Sequence, residues 1–483
     1  MVLNQSPSTR IWIDSIGLPD TIRLFTQVKL NWSGDDQDGY VKGFKISWSS
    51  TDKNAALIGL SSSRLVTRTD STFLFNFTGL SNLADIYFYV QAIDEKGLLD
   101  PNPAFLKIPV KNSIPSINFI ADALPASDTI WSVISLPYNF SDPDGVANID
   151  SILFKINNSK WVSVPKNLGF LSLVPRDPGS FGETSVDLYA GENLATLNKI
   201  PEPIPGVSAA GLKLNDRNRF YMKIKDLAGA SFVDSTVSNY YFKRKTADLL
   251  LVDANKAEGA YIGDTVYAKT ISAISAFDRI DMIDQNGINQ PKFWNASFYL
   301  LSKLYKKVFW YSDIITEVPG QTPLMLTFAA PSFIQYLRFD GKLLVSAIFP
   351  DTRIPDDDPV FALLPIRISE QSSLVRLRRN FPIVPTKPDY AVLKSIITNV
   401  PGPITGVDIF NVSPGVDTLF TIPKSSLTSS YTGPELPIAL RTRNPFSGKT
   451  NLVFFGVQLS YLSHDLDAFQ NTLNKILNEE FNW

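Results

Sequence analysis

The feature that most constrains this chain is a motif that occurs twice in its first half. Trp32-Ser33-Gly34-Asp35-Asp36-Gln37-Asp38-Gly39 leads into Val41-Lys42-Gly43-Phe44-Lys45-Ile46, and Phe140-Ser141-Asp142-Pro143-Asp144-Gly145 leads toward Ile152-Leu153-Phe154-Lys155-Ile156. Each unit reads as a strand with an aromatic at its end, an acidic turn closed by glycine, then an alternating strand. A second pair follows, residues 86–94 (IYFYVQAID) and residues 219–226 (RFYMKIKD), each entering a Gly-containing turn. Alternation of period two bounded by Gly, Asp and Pro marks half-buried antiparallel strands. Such strands at short spacing build sandwiches rather than strand–helix–strand units.

A chain of 483 residues exceeds a single core. At roughly 150 residues per domain, about three are expected. The repeat predicts one sandwich over 8–112 and a second over 113–246, joined near Lys111-Asn112-Ser113-Ile114-Pro115. Residues 165–211, rich in Pro, Gly and Ser, read as a long loop inserted in the second module. Loops of that length are uncommon in compact domains and are sometimes functional.

After residue 246 the pattern changes. Leu249-Leu250-Leu251-Val252-Asp253 and Lys342-Leu343-Leu344-Val345-Ser346-Ala347 are continuous apolar runs. Such runs suit strands buried on both faces of a parallel sheet. Residues 279–283, 307–311 and 452–457 read as further strands; residues 295–304, 332–338 and 465–480 have helical spacing. Strands alternating with helices over 247–483 predict a doubly wound α/β domain.

The first half resembles the fibronectin type III and Ig-like repeats of exported Bacteroidetes-type proteins, through its W-S-G-D-D-x-D-G turn and its Y-F-Y-V-x-A-I-D strand. The second half resembles flavodoxin-like, class I glutamine-amidotransferase-like domains. That likeness rests on the opening strand ending in Asp253, the helix–Gly–strand unit at 332–349 and Phe454-Phe455-Gly456-Val457-Gln458. It implies a cysteine nucleophile just after the strand at 342–349 and a histidine and an acid just after the last strand. The chain has no cysteine, and the position corresponding to the histidine is Ser460. Thiol-based amide chemistry is therefore unavailable. The fold class expected is two antiparallel β-sandwiches followed by an α/β doubly wound domain that lacks the catalytic residues of its look-alikes.

With Cys 0 and His 1, disulfides, thiolate–metal centres and His-rich metal sites are excluded. A formal net charge of −2 and the absence of long Lys/Arg runs argue against nucleic acid. Arg376-Leu377-Arg378-Arg379 is the nearest basic run, and it is short. No apolar run reaches the ~18 residues of a membrane helix. Residues 1–10 are too polar for a signal peptide. Asp-Ser/Thr-aliphatic tripeptides beginning at Asp14, Asp20, Asp128, Asp150, Asp264 and Asp417 resemble the O-glycosylation acceptor of exported Bacteroidetes-type proteins. Together with the sandwich repeats they favour a chain outside the cytoplasm, in the periplasm or at the outer membrane, with its leader removed, over a cytosolic one. A lipid anchor on a cysteine ahead of residue 1 is compatible with that placement.

Asp35, Asp36, Asp38, Asp142 and Asp144 can supply hard oxygen ligands to Ca²⁺, the one ion expected. The twelve-residue calcium loop with its closing Glu is absent, and Asp and Gly also dominate plain turns. Asp253, Asp313 and Ser346, at strand ends of the α/β sheet, mark a possible ligand crevice. Ser346 with His464 lacks the G-x-S-x-G elbow of a serine hydrolase. Pro355-Asp356-Asp357-Asp358-Pro359 reads as a solvated acidic loop. Trp32 and Trp48 are expected in the first sandwich core, whereas Trp48, Trp131 or Trp161, if exposed, would suit a carbohydrate.

The function these readings favour is a non-enzymatic binding or scaffold protein of the cell envelope with a protein partner. The alternative is a glycan- or peptide-acting hydrolase, or a carbohydrate-binding protein, using the α/β sheet edge.

Overall fold

A computed structural model describes residues 4–13, 23–75, 83–191, 199–255, 262–283, 287–312, 325–349, 354–370, 375–396, 407–428 and 431–481. The first module packs a sheet of Ser8–Ile13, Gln27–Asp35 and Asp70–Leu74 against a sheet ordered Leu65–Val66, Val41–Ser49, Leu83–Asp94, Ala104–Lys111. Val28, Leu30 and Trp32 alternate inward along one strand and meet Phe44, Phe88, Val90 and Ala92 from the other sheet. Trp32 is fully buried, and its indole N–H donates to the Arg68 carbonyl at 2.8 Å. Trp48 lies on the same face but is 49% exposed, contrary to expectation. It stands one residue before its strand ends, so Phe73, Phe75 and Phe88 cover one side of the ring and solvent the other. An inserted helix, Lys53–Ser62, is capped by the Asp52 carboxylate on the Ala55 N–H and rests Ala56 and Leu60 on Tyr89.

The second module repeats this plan. Ser116–Phe119, Ile134–Ser141 and Phe170–Pro175 face a sheet ordered Val162–Val164, Ile149–Ile156, Phe220–Asp226, Ser231–Ser235. The stretch expected as a long inserted loop is instead largely strand. Phe170–Pro175, Glu183–Gly191 and Glu202–Lys213 pair in antiparallel succession and widen the first sheet to five strands. Leu171, Leu173, Val186 and Leu188 alternate into the core. Seven of the Pro and Gly residues that suggested a loop, Pro178, Gly179, Gly182, Pro203, Pro205, Gly206 and Gly211, sit at the turn 176–182 or in Glu202–Lys213, which is the sheet's edge. Proline is tolerated there because its missing N–H faces no neighbour.

The α/β domain is built on a nine-stranded sheet. Five parallel strands run in the order Phe277–Asp281, Leu249–Asp253, Lys307–Ser312, Lys342–Ala347, Thr450–Phe455. Numbered along the chain this is 2-1-3-4-5, a common doubly wound order. Leu436–Arg443, Asp417–Ile422, Pro382–Pro385 and Leu393–Lys394 extend it antiparallel. By its Pro and Gly content, roughly 398–450 reads as a long loop of the kind that suits recognition; the strands Ile409–Val412, Asp417–Ile422 and Leu436–Arg443 correct that reading.

Both sheet faces are covered. Trp310, Val345 and Phe454 pack against Phe298 and against Phe333 of the helix Met325–Arg338. Phe309, Leu344 and Phe455 pack against Tyr267 of the helix Ile262–Ser272 and Phe469 of the helix Leu466–Asn474. Each such fully buried large side chain contributes roughly 1.5–3 kcal/mol of burial free energy. The helix expected from Ser332 starts earlier, at Met325, and carries Pro331 inside it. Asp358, expected in a solvated loop, is buried two residues before the short helix Val360–Leu363, and its carboxylate accepts the Val360 N–H at 2.9 Å.

The second sandwich and the α/β domain are bonded to each other. Ser135 is buried; its hydroxyl donates to the Ala296 carbonyl at 2.9 Å and lies 2.9 Å from the Ser297 hydroxyl.

Candidate functional site

In a doubly wound sheet, ligands bind beyond the carboxyl ends of the strands where the order reverses. Asp253 ends the first strand as expected, but its carboxylate is buried and engaged. Arg279, on the neighbouring strand, meets it at 2.5 Å, and the Asn255 N–H donates to its other oxygen at 3.0 Å. Asp313 lies outside the described residues.

Ser346 shares a register row with Asp253 through Tyr311, two strands away. Its hydroxyl is fully buried, accepts the Leu459 N–H at 3.2 Å and sits 3.4 Å from the Tyr267 hydroxyl. Ser460 is equally buried, its N–H donating to Tyr267 at 2.7 Å. His464 is exposed on another segment. Asp253 and Ser346 therefore do not line a common crevice; each is a packed, hydrogen-bonded residue of the sheet.

The concave site lies elsewhere. A cavity of about 310 Å³ opens between the second sandwich and the α/β domain. Trp131, Ser135 and Lys243 line it from the sandwich; Arg279, Asp281 and Phe293 line it from the α/β domain. Lys243 stands over the Trp131 ring at 5.1 Å, and the Asn289 side-chain amide donates to the Asp281 carbonyl at 2.8 Å. An apolar wall with a few convergent polar groups at a domain junction is the usual form of a ligand pocket. Of the sequence candidates only Trp131 reaches it. Arg279 and Phe293 carried no motif, and the wall opposite them in the cavity comes from a different domain.

The two acidic turns fold alike. In the second module the Asp144 N–H donates to Asp142 at 2.8 Å and the Ala230 N–H to Asp226 at 2.7 Å, and both Asp144 and Asp226 lie near enough for their charges to act on Asp142. The joint segment closes over them, with the Asn112 amide on Asp226 at 2.8 Å and the Ser113 N–H on Asp144 at 2.8 Å. In the first module the Asp38 N–H faces Asp36 at 3.5 Å and the Leu98 N–H donates to Asp94 at 2.7 Å. There the Asn4 amide binds Asp94 at 2.6 Å and the Gln5 N–H binds Asp38 at 3.1 Å. Asn4 thus stands where Asn112 stands, and Asp94 where Asp226 stands. Carboxylate oxygens of Asp36, Asp94 and Glu95 all lie within 4.8 Å of one another.

Burial raises the Asp142 carboxyl above the ordinary carboxylate range; the Asp144 N–H opposes this, and the Asp144 and Asp226 charges add to it. Burial raises Asp36 in the same way, against the Asp38 N–H and with the help of the Asp38 and Glu95 charges. Asp35 is exposed at its strand end and stays outside the cluster. The sequence reading missed Asp94, Glu95, Asp226 and Asn148. The one available signal was the aspartate that ends each member of the second repeated pair.

No family model matches this chain, and no curated protein does either. Among solved structures, the Clostridium thermocellum CbhA fibronectin(III)-like modules align at 10% identity and a TM-score of 0.17, over 48% of this chain and 94% of theirs. A Ca²⁺-stabilized adhesin of an ice-binding Antarctic bacterium aligns at 10% identity and a TM-score of 0.19, over 50% of each chain. The Bacteroides ovatus mixed-linkage glucan utilization locus SGBP-B aligns at 11% identity and a TM-score of 0.12, over 53% of this chain and 51% of its own. Likenesses at these scores carry no argument about what this chain does. The fold itself defines a class of architecture: tandem β-sandwiches followed by a mixed-sheet α/β domain. Among the described residues no helix is long and apolar enough to cross a membrane.

Proposed function

We propose that this chain is an extracytoplasmic, non-enzymatic binding and scaffold protein of the cell envelope, a subunit or accessory of an outer-membrane secretion or uptake complex. In this reading the fibronectin III/Ig-like modules, 8–112 and 113–246, are spacers. The domain 247–483 is a degenerate glutamine-amidotransferase-like platform. The observation that carries the reading is the cavity at the joint of the second sandwich and the platform, where Trp131, Lys243, Arg279 and Phe293 converge. The position of the base in the look-alike domains is taken by the core serine Ser460, and the chain has no cysteine to serve as their nucleophile, so recognition falls to this junction and not to the sheet edge.

The test is co-purification of the tagged chain from its native envelope after mild detergent extraction. A stoichiometric envelope protein is expected, and it should be lost when Trp131→Ala and Phe293→Ala are combined in a folded variant. Recovery of the wild-type chain as a free species would sink the proposal.

A second reading, carbohydrate binding, is favoured by one feature of the same cavity. Its lining combines the Trp131 ring with the polar side chains of Asp281 and Asn289, the mix of apolar and polar groups that a sugar ring requires. Glycan-array binding that Trp131→Ala abolishes would select this reading over the first.

A further inference from the structure

The acidic turn of the second sandwich holds more oxygen than the protein satisfies. Asp142 gives one carboxylate oxygen to the Asp144 N–H, and Asp144 gives one to the Ser113 N–H. The Asn148 side-chain amide donates to the Asp144 carbonyl at 2.7 Å. The remaining oxygen of each side chain, Oδ2 of Asp142, Oδ1 of Asp144 and Oδ1 of Asn148, is buried and has no donor. Asp142 is 7% exposed and Asn148 4%, so these are enclosed acceptors and not surface groups turned to solvent.

Leaving a buried acceptor unmet forfeits the hydrogen bond it would make in water, a larger loss when the acceptor is charged. Three on one turn, beside the further carboxylate of Asp226, demand a positive partner. Among the described residues, no Lys or Arg side chain bonds Asp142, Asp144 or Asp226, and none forms an ion pair with them. The donors are all hard oxygens, two of them from carboxylates, which is the ligand chemistry of Ca²⁺.

We propose that Asp142, Asp144 and Asn148 bind one Ca²⁺, with Asp226 supplying neighbouring charge and with backbone carbonyls or water completing the shell. The ion sits against the joint, because Asp144 and Asp226 also hold Ser113 and Asn112. Binding therefore orders the connection between the first and second modules. The same framework recurs in the first module, where Asp36 Oδ2 is likewise buried without a donor. That recurrence is what a repeated cation site would leave. The inference does not depend on the binding role proposed above, and a chain with no envelope partner can still carry this site.

The experiment titrates chelator-treated full-length protein with Ca²⁺ alone, by calorimetry and by thermal unfolding. The comparison is with Asp142→Asn, which keeps the shape of the turn and an oxygen for the Asp144 N–H. The wild type should bind with a dissociation constant on the order of 10⁻⁶ to 10⁻³ M. It should gain roughly 5–10 °C in the melting of the sandwich at a hundredfold excess over that constant. Asp142→Asn should lose one equivalent of Ca²⁺. In chelator it should melt at or above the wild type, since a buried, uncompensated charge has been removed, and below it in Ca²⁺. Asn148→Ala is the second variant and should weaken the same equivalent at least tenfold. No Ca²⁺ binding by the wild type, or an unchanged stoichiometry in Asp142→Asn, would overturn the proposal. So would an Asp142→Asn chain that is less stable than the wild type even in chelator, because the aspartate would then be a turn residue.

Discussion

Arg279 reaches across one strand to the buried carboxylate of Asp253, 2.5 Å away. The acid that ends the first strand of a doubly wound sheet is the expected place for chemistry, and here its charge is already matched. Asp253→Ala leaves a guanidinium that is about a third exposed and can turn partly to water. A loss of roughly 1–3 kcal/mol is expected, below the 3–5 typical of a fully buried pair. The α/β domain should melt several degrees lower in calorimetry. An unchanged melting temperature would mean that the pair adds no net stability.

Ser346 is a packing residue, and its reactivity should say so. A fluorophosphonate probe, which labels activated serines, should leave it unmodified in the native protein because the side chain is fully buried. Ser346→Ala removes the acceptor of the Leu459 N–H and should cost about 1–2 kcal/mol in denaturant unfolding. A probe adduct on Ser346 in the mass spectrum would contradict the assignment.

The second sandwich and the α/β domain should unfold as coupled units. Ser135 links them through Ala296 and Ser297 and also faces the Ser172 hydroxyl at 2.7 Å. Ser135→Ala leaves the Ala296 carbonyl without this donor. The expected outcome is a loss of about 1–2 kcal/mol and a wider separation of the two domains' calorimetric transitions. Identical endotherms for variant and wild type would mean that the hydroxyl adds no coupling.

Acid should weaken the same joint. The Lys245 and Lys306 ammonium groups, 2.8 and 2.7 Å from Asp248, hold its carboxyl down to about 2. The folded value lies below the unfolded one, so the stabilisation is fully present above about pH 4 and is lost as the pH falls toward 2. The Asp248 side chain is half exposed, so solvent screening holds the effect to about 1 kcal/mol or less. Asp248→Asn should be less stable than the wild type at pH 7, and the two should converge near pH 2. A gap that persisted at pH 2 would assign the difference to something other than this charge.

Much of the architecture was legible because periodicity is local. Alternation along 27–35, 86–94 and 219–226 marks strands with one face in a core, and the apolar runs at 249–252 and 342–347 mark strands buried on both. The Asp-x-Asp turns announced themselves through their residue types. Residues 165–211 misled because Pro and Gly at turns and on an edge strand dominate the composition there, whereas Leu171, Leu173, Val186 and Leu188 carry the strand pattern. Trp48 misled because alternation gives the face of a residue but not how far the opposing sheet reaches over it.

The sequence by itself determined the order of strand types, the repeated acidic turns and the lack of a thiol or a second histidine. Those follow from residue identity and near-neighbour spacing. The tertiary structure alone decided that Asp226 and Asn112 join Asp142 and Asp144, that Arg279 neutralises Asp253, and that Trp131 and Phe293 face one cavity. Each of these pairs residues from segments far apart in the chain. Which segments meet is set by strand order and register, and those are fixed by the packing of the whole core rather than by any one stretch of residues.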